Sequence, residues 1–429
     1  MGKKVRNADH VRQKNVPGPD NEVVKTHLEN LLSPAVYCQI AYFQSLGLRA
    51  RILSLPLMVA ALLALLWQQI PGVSELTRVL NRDGALWFGP VKVSQAAVSK
   101  RLQSLPYEVL RQVFMALLPV LQARWAARQR PLPESIRTAR RQFEHIYAVD
   151  GSSLEALFRK LAVLEDAPLG QLGGKICTVV DLALRLPEQI FFRAEALAHD
   201  TTFLSDLLSL IHAGTLWVFD RGFYDFAFFG NLIERHGHFI TRLKGNAVFQ
   251  VQTVLTNTHT LRDRVISLGG NTPCRYPLRL VEVRVKDTWY GYVTSVLDPT
   301  RLPPLVVADL YRRRWRIEEA FLIVKRLLNL AYLWTGSLNG ILLQVWATWL
   351  FFAVLVDLGD AVAEQLMRPF DDISLEMVFR GLYHFHRAFS KGTATHPIQY
   401  LADPVNRDLG VVKRLRPGRP SRLSLSFEA

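Results

Sequence analysis

Cysteine is scarce. Cys38, Cys177 and Cys274 are scattered over 429 positions without a pairing pattern. An odd count and the lack of a signal peptide exclude a disulfide framework and lead us to expect a reducing, intracellular setting. Cys177 lies in a strand-like run and reads as core. No cysteine and histidine cluster has zinc spacing, which removes the commonest structural metal. Long unbroken apolar runs are also missing. The sixteen residues 52–67 include Ser54 and Pro56, and the eighteen residues 341–358 are interrupted by Gln344, Thr348 and Asp357. Both fall short of a membrane span and read as buried core helices, so no membrane partner is expected. Acid is in deficit as well. Thirty-seven Asp and Glu face 52 Lys and Arg, leaving +15 and a pI near 9.9. Such a surplus suits a polyanionic partner. Charge alone fits DNA, a ribosome or an anionic membrane equally. With 49% hydrophobic and 21% charged residues, the chain is globular and long enough for two or three units with a sizeable core.

Residues 1–20 form a basic arm, with Lys3, Lys4, Arg6, Arg12 and Lys14 ahead of a Pro-Gly-Pro break. It reads equally as a phosphate-touching arm or a solvated tail. Residues 21–125 read as helical throughout. Within them, the segments 73–80 and 93–102 each begin with a serine at a plausible N-cap and have the size of a helix-turn-helix pair. Gln95, Ser99, Lys100 and Arg101 on the second segment are candidates to contact DNA. The 81–92 connection is long for that motif, so an ordinary helical packing unit fits as well. A basic stretch at 126–142, with Arg128, Arg130, Arg137, Arg140 and Arg141 around Pro131 and Pro133, reads as a linker. From residue 143 the pattern turns to strands, near 144–150, 175–184 and 188–193. A helix near 199–212, a strand at 215–220, a helix near 224–235 and a strand at 238–243 follow. Alternating runs at 276–285 and 289–297 add antiparallel strands. Residues 361–429 read as a helical region ending in the basic tail KRLRPGRPSR.

The residues with chemical potential gather in three places. The first is YRRRWRIEEAFLIVK at 311–325. At about 100° per residue, Tyr311, Arg314, Glu318 and Lys325 fall within roughly 60° of arc on a helix of about four turns. Ile317, Ala320, Phe321 and Val324 form an adjoining apolar face. An exposed Arg314–Glu318 ion pair at i,i+4 is the plain alternative. Glu319 points about 100° away and is the weaker acid. The other two places are Asp150, which ends HIYAVD, and Asp220, which ends TLWVFD. A carboxylate at the tip of a buried strand is costly unless a metal or ligand compensates it. Two aspartates and one glutamate make an all-oxygen set suited to a hard cation such as Mg²⁺. In-line displacement on phosphodiesters with two metals uses such a set.

The spacing Tyr311-x2-Arg314-x3-Glu318-x6-Lys325 resembles the YREK signature of the DDE transposases of bacterial insertion sequences, in the group of insertion-sequence family four. Asp150 in AVDGS and Asp220 in FDRGF resemble that family's first and second acids, and the likeness runs from about 94 to 358 with the motifs in family order. The resemblance implies an α/β fold with a ribonuclease-H-like catalytic core over 143–360. An antiparallel β insertion would interrupt it at about 239–304, and an all-helical DNA-binding domain would precede it. In such a core the first and fourth strands are central neighbours, which brings the two aspartates together. The resemblance further implies that Asp150, Asp220 and Glu318 are catalytic and hold two Mg²⁺ ions, with Mn²⁺ as a substitute. Tyr311, Arg314 and Lys325 would bind phosphate. Arg242, Lys244, Arg284 and Lys286 would face a DNA backbone. Trp289 or Tyr290 would stack on a flipped base, although both also fit as sheet-packing aromatics. The implied activity is binding of terminal inverted repeats, then cleavage and strand transfer by cut and paste through a hairpin. The implied setting is a homodimer on paired double-stranded ends, in the bacterial cytoplasm at the nucleoid. Three alternatives stay open: a ribonuclease-H-like nuclease or resolvase without strand transfer, an inactive DNA-binding relative, and a basic membrane protein.

Overall fold

The computed structural model describes residues 21–70, 72–154, 174–195, 197–328, 330 and 337–413. The basic arm and the tail beyond Lys413 lie outside the described residues. The chain forms two units, one of Met1–Leu121, Ile323–Leu366 and Ile373–Val412, the other of Gln122–Leu322, Met367–Asp372 and Lys413–Ala429.

The first unit is helical. Leu338–Gln365 is its central element, a 28-residue helix long and apolar enough to cross a membrane by length and composition. Its most apolar window is 94% buried inside the protein, as a core helix is. The polar residues that interrupted it in the sequence are absorbed inside, where the Thr348 hydroxyl donates to the Gln344 carbonyl at 2.7 Å. Leu55–Trp67 packs beside it, buried at every position except Pro56. Trp67 meets Phe351 and Phe379 edge-on at centroid distances of 5.8 and 5.3 Å. Asn339 ties distant segments together by donating to the Leu105 carbonyl at 2.8 Å and accepting from the Tyr107 amide at 3.1 Å. Helices expected in separate N- and C-terminal regions therefore share one core. The expected pair appears as Val73–Arg82 and Gln95–Ser104. Ser94 caps the second by accepting from the Ala97 amide, whereas Gly72 caps the first without a side-chain bond.

The second unit is built on one nine-stranded sheet. Its strands are β1 (His145–Ser153), β2 (Lys175–Asp181), β3 (Pro187–Arg193), β4 (Thr215–Phe219), β5 (His238–Arg242), β6 (Phe249–Asn257), β7 (Leu261–Leu268), β8 (Leu278–Val285) and β9 (Thr288–Thr294). The spatial order is β3-β2-β1-β4-β5-β9-β8-β7-β6. β1 to β3 are antiparallel neighbours, β4 and β5 run parallel to β1, and the remaining pairs are antiparallel. β4 (TLWVF) is buried at all five positions, as a β-branched and aromatic central strand should be. Trp217 and Phe219 on it, Cys177 on β2, and Phe203, Phe228, Phe229 and Phe239 belong to one core cluster.

Several element boundaries differ from those expected. β2 stops at Asp181 because that side chain accepts from the Ala183 and Leu184 amides at 2.7 and 2.9 Å, closing a turn ahead of Arg185 at φ 61°. The helix expected at 199–212 is a 3₁₀ turn, Asp200–Phe203, followed by the short helix Leu204–Leu208. The supposed linker at 126–142 contains the helix Glu134–Arg140, anchored by buried Ser135, Ile136 and Ala139. The strands of the expected insertion extend the central sheet, because β9 returns to pair with β5.

Candidate active site

β1 and β4 are parallel neighbours in a register that sets Val149 opposite Phe219. Asp150 is the next position within β1, and Asp220 directly follows the end of β4. Asp220 also caps the 3₁₀ turn Arg221–Phe223. Glu318 comes from the helix Trp315–Leu322. All three carboxylates are within reach of one guanidinium: Arg314 lies 2.6 Å from Asp150, 3.2 Å from Glu318 and 3.6 Å from Asp220. The i,i+4 pair with Glu318 therefore exists, but it is one of three. The Tyr311 hydroxyl donates to Asp220 at 3.2 Å, and the Tyr292 ring on β9 packs 5.2 Å from that of Tyr311.

The helix that carries this stripe is not regular. Pro304–Arg313 ends at Arg314, where i→i−3 bonds link the Arg314 amide to the Tyr311 carbonyl and the Ile317 amide to the Arg314 carbonyl. At Ile323–Leu327 the backbone widens into a π turn. A 100° step no longer applies within that turn. Lys325 is half-buried and falls in the other unit.

Electrostatics follow from burial. The Arg314 side chain is only 6% exposed, against 15% for Asp150, 38% for Asp220 and 40% for Glu318. Burial pushes the Asp150 carboxyl up to about 6; Arg314 pulls it down, while Asp220 and Glu318 add to the rise. Burial alone would lower the Arg314 guanidinium, but Asp150 and Asp220 together raise it. Burial, then Asp220, raise the Tyr311 phenol to about 12. One cation facing three acids leaves negative charge uncompensated, and the donors are hard oxygens, so a divalent cation fits their chemistry. Among the described residues no three acidic, histidine or cysteine side chains are gathered closely enough to hold an ion. The acids surround Arg314 instead.

Glu319 faces a different cluster, paired with Arg316 at 2.6 Å, Arg185 at 3.0 Å and Lys413 at 3.4 Å. Asp371 pairs with Arg313 and, at 3.4 Å, with Arg316. Burial would raise the Asp371 carboxyl, but Arg316 and Arg313 hold it well below the usual range. These pairs brace the turns on either side of Arg314. The sequence reading passed over them, although Asp309 and Arg313, which pair at 2.7 Å, are visible at i,i+4 spacing.

The other candidate DNA contacts are dispersed. Gln95 and Lys100 are exposed and Ser99 is half-buried. Arg101 turns away to the Arg49 carbonyl and lies 5.5 Å over the Phe43 ring, so it serves packing within its unit. Arg242 covers Tyr290 at 5.2 Å, Lys244 covers Tyr224 at 4.7 Å, and Arg262 covers Trp289 at 4.2 Å. Trp289 and Tyr290 are thus half-buried rings that each already carry a cation.

Residues 141–353, which contain Asp150, Asp220 and Glu318, match the family described as the transposase DDE domain. The chain carries a transposase DDE domain. Among curated proteins it is similar to a Sinorhizobium fredii (strain NBRC 101917 / NGR234) chain named as a transposase, y4zB, at 24% identity over 34% of this chain and 43% of that one. It is also similar to a Geobacillus stearothermophilus chain named as transposase of insertion sequence element IS5377, at 23% identity over 65% and 71%. The match thus spans less than half the length of the first relative. A solved piggyBac transposase synaptic complex with hairpin DNA aligns over 95% of this chain and 89% of that chain at 12% identity and a TM-score of 0.36. At that score the two folds are not equated. Within the DDE domain, every carboxylate that reaches Arg314 comes from a different element of the second unit.

Proposed function

We propose that this chain is the DNA transposase of an insertion sequence, binding terminal inverted repeats and carrying out metal-dependent cleavage and strand transfer. The observation that carries the proposal is the convergence of Asp150, Asp220 and Glu318 on Arg314 inside the DDE domain. The strand order β3-β2-β1-β4-β5, with three antiparallel strands followed by two parallel ones, supports a ribonuclease-H-like core. In this reading Asp150, Asp220 and Glu318 hold two divalent ions, Mg²⁺ or Mn²⁺. When bound, the metal supplies activation of a water or 3′-hydroxyl and stabilisation of the leaving oxygen. The rest falls to the chain itself. Arg314 is a planar fork shared among carboxylates, and a scissile phosphate offers it the same bidentate geometry. Tyr311 orients Asp220 through its hydroxyl. Lys325, Arg242, Lys244, Gln95, Ser99, Lys100 and the basic arm add phosphate contacts, and Trp289 or Tyr290 is available to a flipped base. The partner is double-stranded DNA, the assembly a dimer on paired ends, and the setting the bacterial cytoplasm.

A joining assay separates transposase from nuclease. A repeat-ended duplex with a free 3′-hydroxyl, incubated with a target plasmid, should yield covalently joined products. Cleaved ends that never join would favour a nuclease of the same fold.

The Asp150 carboxyl sets a pH dependence. A metal ligand must be deprotonated, so Mn²⁺ affinity should fall roughly tenfold for each pH unit below about 6 and level off above it. Titrating Mn²⁺ between about pH 5 and 8 measures this, and a flat profile would show that no ligand with a raised carboxyl limits binding. The same group acts on stability. Its folded value of about 6 lies above the ordinary 3.8, so the folded chain binds more protons between the two. Asp150 therefore withdraws stability as pH rises through that window.

A further inference from the structure

A fourth carboxylate lies against the backbone beside both aspartates. Asp200 opens the 3₁₀ turn Asp200–Phe203. A Cβ built on Gly151, next to Asp150, would collide with its Oδ1, and a Cβ built on Gly222, two residues after Asp220, would collide with its Oδ2. The carboxylate thus fits between two backbones that only glycine leaves open to it. It is held by a lysine on the Gly151 side. Lys175 on β2 pairs with Asp200 Oδ1 at 2.7 Å and donates to the Ala198 carbonyl at 2.7 Å. Phe203, at the other end of the same turn, is fully buried and lies 4.8 Å beneath Arg193, so the turn cannot drift. Neither side chain of the Lys175–Asp200 pair is more than a quarter exposed, at 14% and 23%.

We propose that Asp200 is a positioning residue whose carboxylate, locked by Lys175, sets the spacing of Asp150 and Asp220 through Gly151 and Gly222. The proposal rests on the metal-binding reading above. Its charge is matched by Lys175, and its oxygens face glycine backbones, so Asp200 acts as a spacer beside the three acids. A catalytic constellation must be held within about half an ångström, and this spacer touches the two segments whose separation matters most.

Mn²⁺ affinity of the full chain, measured by the electron paramagnetic resonance of free Mn²⁺, tests this alongside repeat-duplex binding and thermal unfolding. Asp200→Ala should weaken Mn²⁺ binding by about 10- to 100-fold, the usual cost of losing a group that orients ligands, with DNA binding unchanged. Asp200→Asn keeps the shape and should recover most of the affinity. Gly222→Ala should also weaken Mn²⁺ binding, and Asp200→Ala should partly rescue it by vacating the space the added methyl needs. That non-additivity distinguishes positioning from general destabilisation, which would add up and lower the unfolding temperature in step. Asp150→Ala is the control. Lost Mn²⁺ binding there with unchanged affinity in Asp200→Ala, or strictly additive effects in the pair, would overturn the positioning role alone. Unchanged binding in Asp150→Ala would overturn the metal reading and the spacer with it.

Discussion

Glu318→Gln should abolish strand cleavage while leaving repeat binding nearly intact. The substitution keeps volume and helix propensity and removes one negative charge. Glu318 makes a single described side-chain contact, to Arg314 at 3.2 Å, and its side chain is 40% exposed. The fold therefore loses little. The proposed reaction loses a ligand whose charge matters most in the transition state, an effect of about 4 kcal/mol or roughly 10³-fold in rate. Cleavage of a labelled repeat duplex and a gel-shift titration of the same duplex measure the two quantities. Binding lost along with cleavage would remove Glu318 from the proposed ligand set.

The largest stability effect should come from Asp263→Ala. Arg279 on β8 is fully buried, donates to both Asp263 oxygens at 2.7 and 2.6 Å, and donates to the Leu302 carbonyl at 2.7 Å. Removing Asp263 leaves a guanidinium buried without its counter-charge, at a cost of about 3–5 kcal/mol. The urea midpoint of the sheet unit should fall accordingly, and Asp263→Val with Arg279→Met should recover most of the loss because no charge is then stranded. A midpoint unmoved by Asp263→Ala would show that water reaches Arg279. The pair also matters for position. Leu302 directly precedes the helix Pro304–Arg313 on which Tyr311 is carried, so Arg279 links the β6–β9 meander to the segment that leads into the site.

The elements around the acids were readable because their signals are local. HIYAVD and TLWVFD are short β-branched and aromatic runs ending in a carboxylate; TLWVF forms a fully buried strand, while HIYAVD opens the partly buried β1, which continues past Asp150 to Ser153. The Tyr311, Arg314 and Glu318 spacing needs only helical geometry near its middle. What the sequence concealed depends on distant partners. A 100° helical step says nothing of the i→i−3 bonds at Arg314 or of the π turn at 323–327. The turn after Asp181 carries no glycine, proline or asparagine at Leu182–Leu184 and is made by one side chain bonding two amides. β6 and β7 went unread because β6 is a largely exposed edge strand with two register shifts against its neighbour, so its alternation carries no burial signal. Nothing in the helix of Arg101 foretells its bond to the Arg49 carbonyl, 52 positions away. Asp200 is similar, since its glycine partners stand about 50 positions before it and 22 after it.

The most direct test is cleavage of a labelled duplex bearing the element's own terminal repeat, with Mg²⁺, with EDTA, and with the Asp150→Ala variant. Metal-dependent cleavage at the repeat boundary, lost in EDTA and in the variant, is the outcome the three-acid site requires. Repeat binding without cleavage under every condition would contradict it and leave a DNA-binding protein whose carboxylates serve only to hold Arg314.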